Sequence, residues 1–177
     1  MIYEDFLKTD ELIITDNLKI RKFTIDDVSA YFKNNSDPQM KIYMPNHWCS
    51  TEDEAREEIT EFLSDYKLDY KDIRKSCHFA ITKYDMLIGH IGMGESDIGD
   101  DVYEICCAIG EDCRGLGYAV EAVKAFVLWC KATFGLDKIY ASTDRENTAS
   151  RKCLLNAGFV LTDIAIKDKE LIVYVFD

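Results

Sequence analysis

The sequence predicts an α+β fold, with helices flanking a single mixed, mostly antiparallel sheet. Residues 77–84 and 86–93 are two strand-like runs around a turn, which is typical of an antiparallel hairpin. Over residues 103–159 the order changes to strand, glycine turn, helix, strand and helix. A meander followed by alternating strands and helices indicates one mixed sheet with helices packed on it. No linker, repeat or low-complexity tract interrupts the pattern, so we expect one domain over residues 1–177.

The remaining elements follow from local signals. Residues 11–23 contain two short strand-like pieces. Thr24 is suited to cap a helix that runs to about Lys33, and Thr51 starts a second helix in a capping box with Glu54. We expect the first helix to bury Ile25, Val28 and either Tyr31 or Phe32. The second helix presents apolar residues at helical spacing: Ala55, Ile59, Phe62, Leu63 and Tyr66.

Two segments have no simple periodicity. Residues 39–50 are a loop or a short helix, whose aromatic residues either line a substrate pocket or, as is more common, form a satellite core cluster. The strand at residues 86–93 and the residue after it contain Gly89, Gly92 and Gly94, a density that indicates a bulge or a closely approaching neighbour. A last strand is predicted at residues 170–176.

Charge and composition exclude several classes of protein. The net charge is −12, the pI is about 4.7 and the basic residues are scattered, so no nucleic-acid partner is expected. A cationic substrate would be favoured slightly. Because the start of the chain does not resemble a signal peptide and no apolar run is long enough for a membrane span, we expect a cytoplasmic protein without a membrane partner.

The seven cysteines do not form a recognisable framework. Their number is odd and no C-x-x-C pair is present, which favours reduced thiols over disulfides. Cys106 and Cys107 are adjacent, an arrangement that suits neither an ordinary disulfide nor a zinc knuckle. Either of them could act as an acyl-carrying nucleophile, but nothing adjacent in the sequence supplies a base, so a role as a buried apolar residue is favoured.

The glycine turn is the first candidate for a ligand site. Gly115 and Gly117 lie between a strand and a strongly amphipathic helix. Glycine allows close backbone approach, and the start of a helix offers free N–H groups to phosphate. Val120 stands where a dinucleotide fingerprint needs glycine, and no P-loop lysine follows. On the glycines alone, a tight strand-to-helix connection explains the turn equally well.

Two motifs carry a family resemblance. The pattern Arg114-x-x-Gly117-x-Ala119 matches the R/Q-x-x-G-x-G/A signature of the GNAT superfamily of acetyl-CoA-dependent N-acetyltransferases. Downstream, the run from Asn147 through Ser150 to Phe159 resembles the second motif of that superfamily. With Ser150 and Leu154, the chain resembles the branch that contains ribosomal-protein alanine N-acetyltransferases. The order of strands and helices extends the resemblance over nearly the whole chain.

The resemblance implies an acyl-CoA N-acyltransferase fold in which two central strands splay apart, with acetyl-CoA as co-substrate and no metal. Backbone groups of Cys107, Ala108 and Ile109 would pair with the pantetheine arm, and the N–H near Cys107 would polarise the thioester carbonyl. Asn147 and Ser150 would lie near the coenzyme. The pyrophosphate would rest on the glycine turn: Arg114, Gly115, Leu116, Gly117, Tyr118 and Ala119.

The implied chemistry is direct attack of a primary amine on the thioester, which needs a base. Glu104 is the leading candidate because a carboxylate within an apolar strand is costly unless it is paired or functional. Glu95 and His90 are the runners-up. Leu154 stands where many relatives have a tyrosine that acts as the general acid for the leaving thiolate. The proton would then come from another donor, such as Tyr118, Tyr140 or water, or no donor is needed.

The sequence leaves three functions open. The first is an N-acetyltransferase acting on a protein N-terminus or a small-molecule amine, as a monomer or a homodimer. The second is a catalytically silent acyl-CoA-binding regulatory module, which Leu154 favours. The third is an acidic regulatory partner protein with no small ligand.

Overall fold

The computed structural model describes residues 9–69, 73–96, 98–99, 101–166 and 170–177. In these residues eight strands form one sheet in the order β1-β2-β3-β4-β5-β6-β8-β7. The strands are β1 (Glu11–Ile14), β2 (Lys19–Arg21), β3 (Ser76–Lys83), β4 (Met86–Glu95), β5 (Tyr103–Ile109), β6 (Ile139–Asp144), β7 (Val160–Leu161) and β8 (Leu171–Phe176). The helices are α1 (Val28–Asn35), α2 (Pro38–Tyr43), α3 (Glu52–Asp65), α4 (Tyr118–Phe134) and α5 (Thr148–Ala157).

The central strands β5 and β6 are the one parallel pair among the described strands. Their register contains a single residue pair, Glu104 with Tyr140, whereas β5 pairs with β4 along its whole length, from Tyr103 to Ile109. The two parallel strands therefore separate after Glu104. This confirms the predicted mixed, mostly antiparallel sheet with splayed central strands.

Helices cover both faces of the sheet. Successive residues of a strand point to opposite faces, so two adjacent residues that each contact a helix show a helix on either side. Phe79 of β3 contacts Phe126 of α4, with ring centroids 5.8 Å apart. The adjacent residue His78 stacks on Phe62 of α3 at 4.6 Å. α4 therefore packs on one face and α3 on the other. The apolar face of α4 is buried at Ala122, Val123, Phe126, Val127 and Cys130.

The glycines of β4 are required by close neighbours. A Cβ atom at Gly89 would lie 2.2 Å from the carbonyl oxygen of Ala108, and one at Gly92 would lie 2.3 Å from the His78 ring. A register irregularity between Ile81 and Thr82 of β3 lies beside Gly89. Both features that the glycines predicted, a bulge and a close approach, are present.

Two local predictions were wrong or incomplete. Ile25 was expected in the core but is 47% exposed, because residues 25–27 form a 3₁₀ turn before α1 starts at Val28. The short strand β7 was not predicted. Residues 39–50 contain all of α2 except its first residue, together with a 3₁₀ turn, Pro45–His47. Among the described residues, no helix has the length and apolar character needed to cross a membrane.

Candidate active site

The glycine turn before α4 is open and rich in donors. Gly115 and Gly117 have φ values of +76° and +86°, and a Cβ atom at either would meet nothing within 4 Å. The amide of Glu121 donates to the carbonyl of Gly117. The amides of the first helical turn that precede Glu121 therefore have no helical carbonyl to bind. This arrangement is suited to an anionic ligand.

Arg114 holds this turn in place rather than extending into it. Its Nε donates to the carbonyl of Ile109 at 2.8 Å, and its guanidinium donates to Asp37 at 2.6 Å and to Gln39 at 3.0 Å. Asp37 also accepts from the amides of Gln39 and Met40 at the start of α2. The Arg114 side chain therefore binds to the start of α2 and to Ile109. Any contact of Arg114 with a coenzyme would be made by its backbone.

We expect Asp37→Asn to destabilise the protein by about 1–2 kcal/mol at neutral pH, allowing for the partial exposure of the Arg114 guanidinium. Burial alone would raise the pKa of Asp37, but the hydrogen bonds from Arg114 and from two backbone amides hold it below its ordinary value. The stabilisation is therefore present above the ordinary aspartate pKa and is lost as the pH falls through the lower folded value. Thermal unfolding of both proteins across acidic pH checks this, and a difference that stays constant would contradict it.

Two further contacts shape the start of α4. Glu121 accepts from the Thr15 hydroxyl at 2.6 Å and from the backbone and side chain of Asn17 at 2.9 and 3.0 Å. On the adjacent side, the Lys83 ammonium donates to the Tyr118 hydroxyl and lies over its ring at 4.3 Å. These contacts orient the first turn of α4 and place a lysine beside the glycine turn.

Glu104 bridges the point where β5 and β6 separate. Its Oε1 accepts from the Ser142 backbone amide at 2.6 Å, and its Oε2 accepts from the Ser96 hydroxyl at 2.7 Å. The residue is only half-buried. Of the two runners-up, Glu95 is exposed at the end of β4, whereas His90 is fully buried. Burial, followed by the charges of His47 and His78, holds the pKa of His90 well below its ordinary value.

The second motif forms the start of α5. Asn147 is the N-cap, and its Oδ1 accepts from the Ser150 amide at 3.0 Å. This local role accounts for Asn147 without a ligand, whereas the backbone amide that it binds would be supplied by almost any residue at position 150. Leu154 is 5% exposed and belongs to the core, so it contributes no polar group. Of the other acid candidates, Tyr118 contacts Lys83 and Tyr140 is half-buried on β6.

The structure brings together four residues that the sequence did not connect: His47, Glu58, His78 and Cys106, here called the imidazole–thiol cluster. The Nε2 of His78 lies 3.5 Å from the Cys106 sulfur. The Nδ1 of His47 lies 2.5 Å from Glu58. No residue adjacent to Cys106 in the sequence supplies a base, and the imidazoles that lie near its sulfur come from distant segments.

The cluster is electrostatically coupled. Burial alone would raise the pKa of Cys106, but His78 and His47 outweigh it and lower the pKa to about 6. Burial alone would lower the pKa of His47, but hydrogen bonds with Cys106 and Glu58 outweigh it and raise the pKa to about 10. The arrangement favours a thiolate beside an imidazolium.

The sheet with splayed parallel strands and a glycine turn that starts a helix is the architecture of an acyl-CoA N-acyltransferase. Residues 17–160 match the model of the GNAT acetyltransferase domain, so the chain belongs to that family. It is therefore an acyltransferase that depends on acetyl-CoA.

Individual relatives agree with this assignment. The chain is 28% identical over 149 residues to the uncharacterized N-acetyltransferase p20 of Bacillus licheniformis. The aligned region covers 84% of this chain and 82% of the relative. Its fold is similar to that of a GNAT-family acetyltransferase from Bacillus anthracis, with a TM-score of 0.74 and 23% identity over 93% of this chain and 96% of that one. RimL, a ribosomal L7/L12 α-N-protein acetyltransferase solved with coenzyme A, has a TM-score of 0.73 and 12% identity over 94% and 97%.

Proposed function

We propose that the protein transfers the acetyl group of acetyl-CoA to a primary amine, by direct attack of the amine within a ternary complex. The observation that carries the proposal is the separation of β5 from β6 beside the open glycine turn. The single register pair at Glu104 and Tyr140 leaves the rest of β5 without a partner on its β6 side. A coenzyme arm can therefore lie in the gap while its pyrophosphate occupies the turn.

In this proposal the coenzyme is bound mainly through backbone groups. Cys107, Ala108 and Ile109 pair with the pantetheine arm from the free edge of β5, and the amide near Cys107 faces the thioester carbonyl. Asn147 offers its side-chain nitrogen, for which the described part of the chain provides no partner, and Ser150 lies one helical turn away. The pyrophosphate binds to the backbone of the turn: Arg114, Gly115, Leu116, Gly117, Tyr118 and Ala119.

Glu104 is proposed as the base that removes a proton from the acceptor ammonium, directly or through water. Its two hydrogen bonds fix the carboxylate at the mouth of the gap between β5 and β6. It shares a face of β5 with Cys106 and, across the sheet, with His78.

The acceptor is proposed to be a protein N-terminus or a small-molecule amine. The similarity of fold to RimL, which acetylates a ribosomal protein, supports the first, and the net charge of −12 is compatible with any cationic acceptor. A catalytically silent acyl-CoA-binding module is the alternative. It is favoured by the buried Leu154, which stands where many relatives place a tyrosine acid.

Release of free CoA thiol from acetyl-CoA, followed over a panel of amines and N-terminal peptides, tests the proposal. A blank without coenzyme is needed because the chain has seven cysteines. Release that depends on one acceptor establishes transfer and identifies the acceptor class. Binding of acetyl-CoA by calorimetry without release across the panel supports the silent module. Absence of binding contradicts both functions.

A further inference from the structure

Three adjacent strands place one residue each on the same rung of the sheet. His78 of β3 pairs with Gly92 of β4, and Gly92 pairs with Cys106 of β5. Strands two apart are separated by about 9–10 Å, so their side chains normally do not meet. Because the middle residue is glycine, the His78 ring lies across the rung and its Nε2 comes to 3.5 Å from the Cys106 sulfur. The glycine is thus a condition for this contact.

His47, from a different segment of the chain, also lies close to His78 and Cys106. It ends the 3₁₀ turn Pro45–His47, and its ring centroid lies 4.9 Å from that of His78. One ring nitrogen from each histidine and the Cys106 sulfur all lie within 4.8 Å of one another. Two imidazoles and a thiol, from three separate segments, therefore converge on one small volume.

We propose that the imidazole–thiol cluster is a binding site for a divalent zinc-class metal ion, with His47, His78 and Cys106 as ligands. In a tetrahedral zinc site, bond lengths of about 2.3 Å to sulfur and 2.0–2.1 Å to nitrogen place a sulfur and a nitrogen ligand about 3.5 Å apart. The separation of His78 from Cys106 matches that distance. Nitrogen and sulfur ligands together select zinc over magnesium or calcium.

Glu58 completes the site from behind. Its carboxylate lies 2.5 Å from the Nδ1 of His47, and the two side chains are only 16% and 17% exposed. A carboxylate that accepts from the second nitrogen of a ligating histidine fixes its tautomer and directs the other nitrogen toward the metal. One imidazole beside Cys106 would be enough to activate its thiol. A metal site also needs a second imidazole, as the third protein ligand to the ion. The fourth position is left for water.

A bound metal ion would link the segment before α3, which contains His47, to the strands β3 and β5, which contain His78 and Cys106. It lies on the same face of β5 as Glu104, two residues along the strand. The proposal does not depend on acetyl transfer, and its test uses no acceptor.

Cobalt titration of the full chain after chelator treatment tests the proposal. We expect one Co²⁺ per chain, with a thiolate-to-cobalt charge-transfer band and tetrahedral visible bands that Zn²⁺ removes. Cys106→Ser should lose the charge-transfer band, whereas Cys107→Ser should keep it, since the neighbouring side chain points to the other face. Glu58→Gln should keep the bands and weaken metal affinity roughly 10- to 100-fold.

Circular dichroism of each variant shows whether it is folded, and the wild-type titration needs no variant at all. Absence of a charge-transfer band in the wild type overturns the proposal, as does a band that survives in folded Cys106→Ser. A band lost in Cys49→Ser instead would also overturn it, because the Cys49 sulfur lies 3.6 Å from Glu58. Acetylation of Cys106 by acetyl-CoA without metal binding would show an activated nucleophile in place of a metal site.

Discussion

Gly117→Glu is expected to weaken acetyl-CoA binding by roughly 100-fold or more, because a carboxylate about 4 Å from a phosphate charge costs on the order of 4 kcal/mol near a protein surface. The space beside Gly117 is open, so the new side chain would occupy the volume proposed for the pyrophosphate. Calorimetric titration with acetyl-CoA measures the loss. Binding at wild-type affinity would sink the proposed coenzyme site.

The control lies at the other end of the same helix. Gly135 also has a positive φ, +63°, and a Cβ atom there would meet nothing within 4 Å. A non-glycine residue in either place costs about 1–2 kcal/mol of backbone strain, so the two positions share that effect. Gly135→Glu should therefore lose stability without losing acetyl-CoA affinity. Gly117→Ala and Gly135→Ala separate the strain from the charge.

Glu104→Gln is expected to reduce kcat by roughly 10²- to 10⁴-fold, the usual contribution of a general base, with acetyl-CoA affinity kept. The amide oxygen can still accept from the Ser142 backbone, and the amide nitrogen can donate to the Ser96 hydroxyl. The bridge between β5 and β6 therefore survives while the proton acceptor is removed. The measurement is thiol release under saturating acceptor, together with its pH profile.

Glu95→Gln is the matched control, since the same change is made to an exposed carboxylate on the neighbouring strand. It should leave kcat within a small factor of the wild type. If Glu95→Gln removed activity and Glu104→Gln did not, the base would have been assigned to the wrong strand. A loss of acetyl-CoA affinity in Glu104→Gln would show that the bridge, rather than proton transfer, is what the residue supplies.

Signals close together in the sequence were sufficient for the fold. The hairpin turn, the glycines of β4 and the turn at Gly115 and Gly117 each predicted a local geometry that the structure shows. Two motifs about 30 residues apart then indicated the family. The predicted burial of Ile25 was wrong because apolar periodicity assumes an α-helix. The 3₁₀ turn at residues 25–27 changes which side of the chain faces the core.

The imidazole–thiol cluster could not be predicted in the same way. Its members stand at positions 47, 58, 78 and 106, a spacing that matches no short metal or nucleophile motif. Their proximity depends on strand register and on how the segment before α3 covers the sheet, neither of which has a local signal. The dense glycines of β4 were the available clue. They indicated a close neighbour, but not that the neighbour is an imidazole.

The role of Gly92 has an evolutionary consequence. Any larger residue there would displace the His78 ring, so His78 and Cys106 can meet only while position 92 remains glycine. Relatives that keep both the histidine and the cysteine should therefore keep the glycine. The reverse does not hold, because a Cβ atom at position 92 would also lie 2.8 Å from the backbone carbonyl oxygen of Cys77. Where both are kept, an alanine at position 92 should be absent.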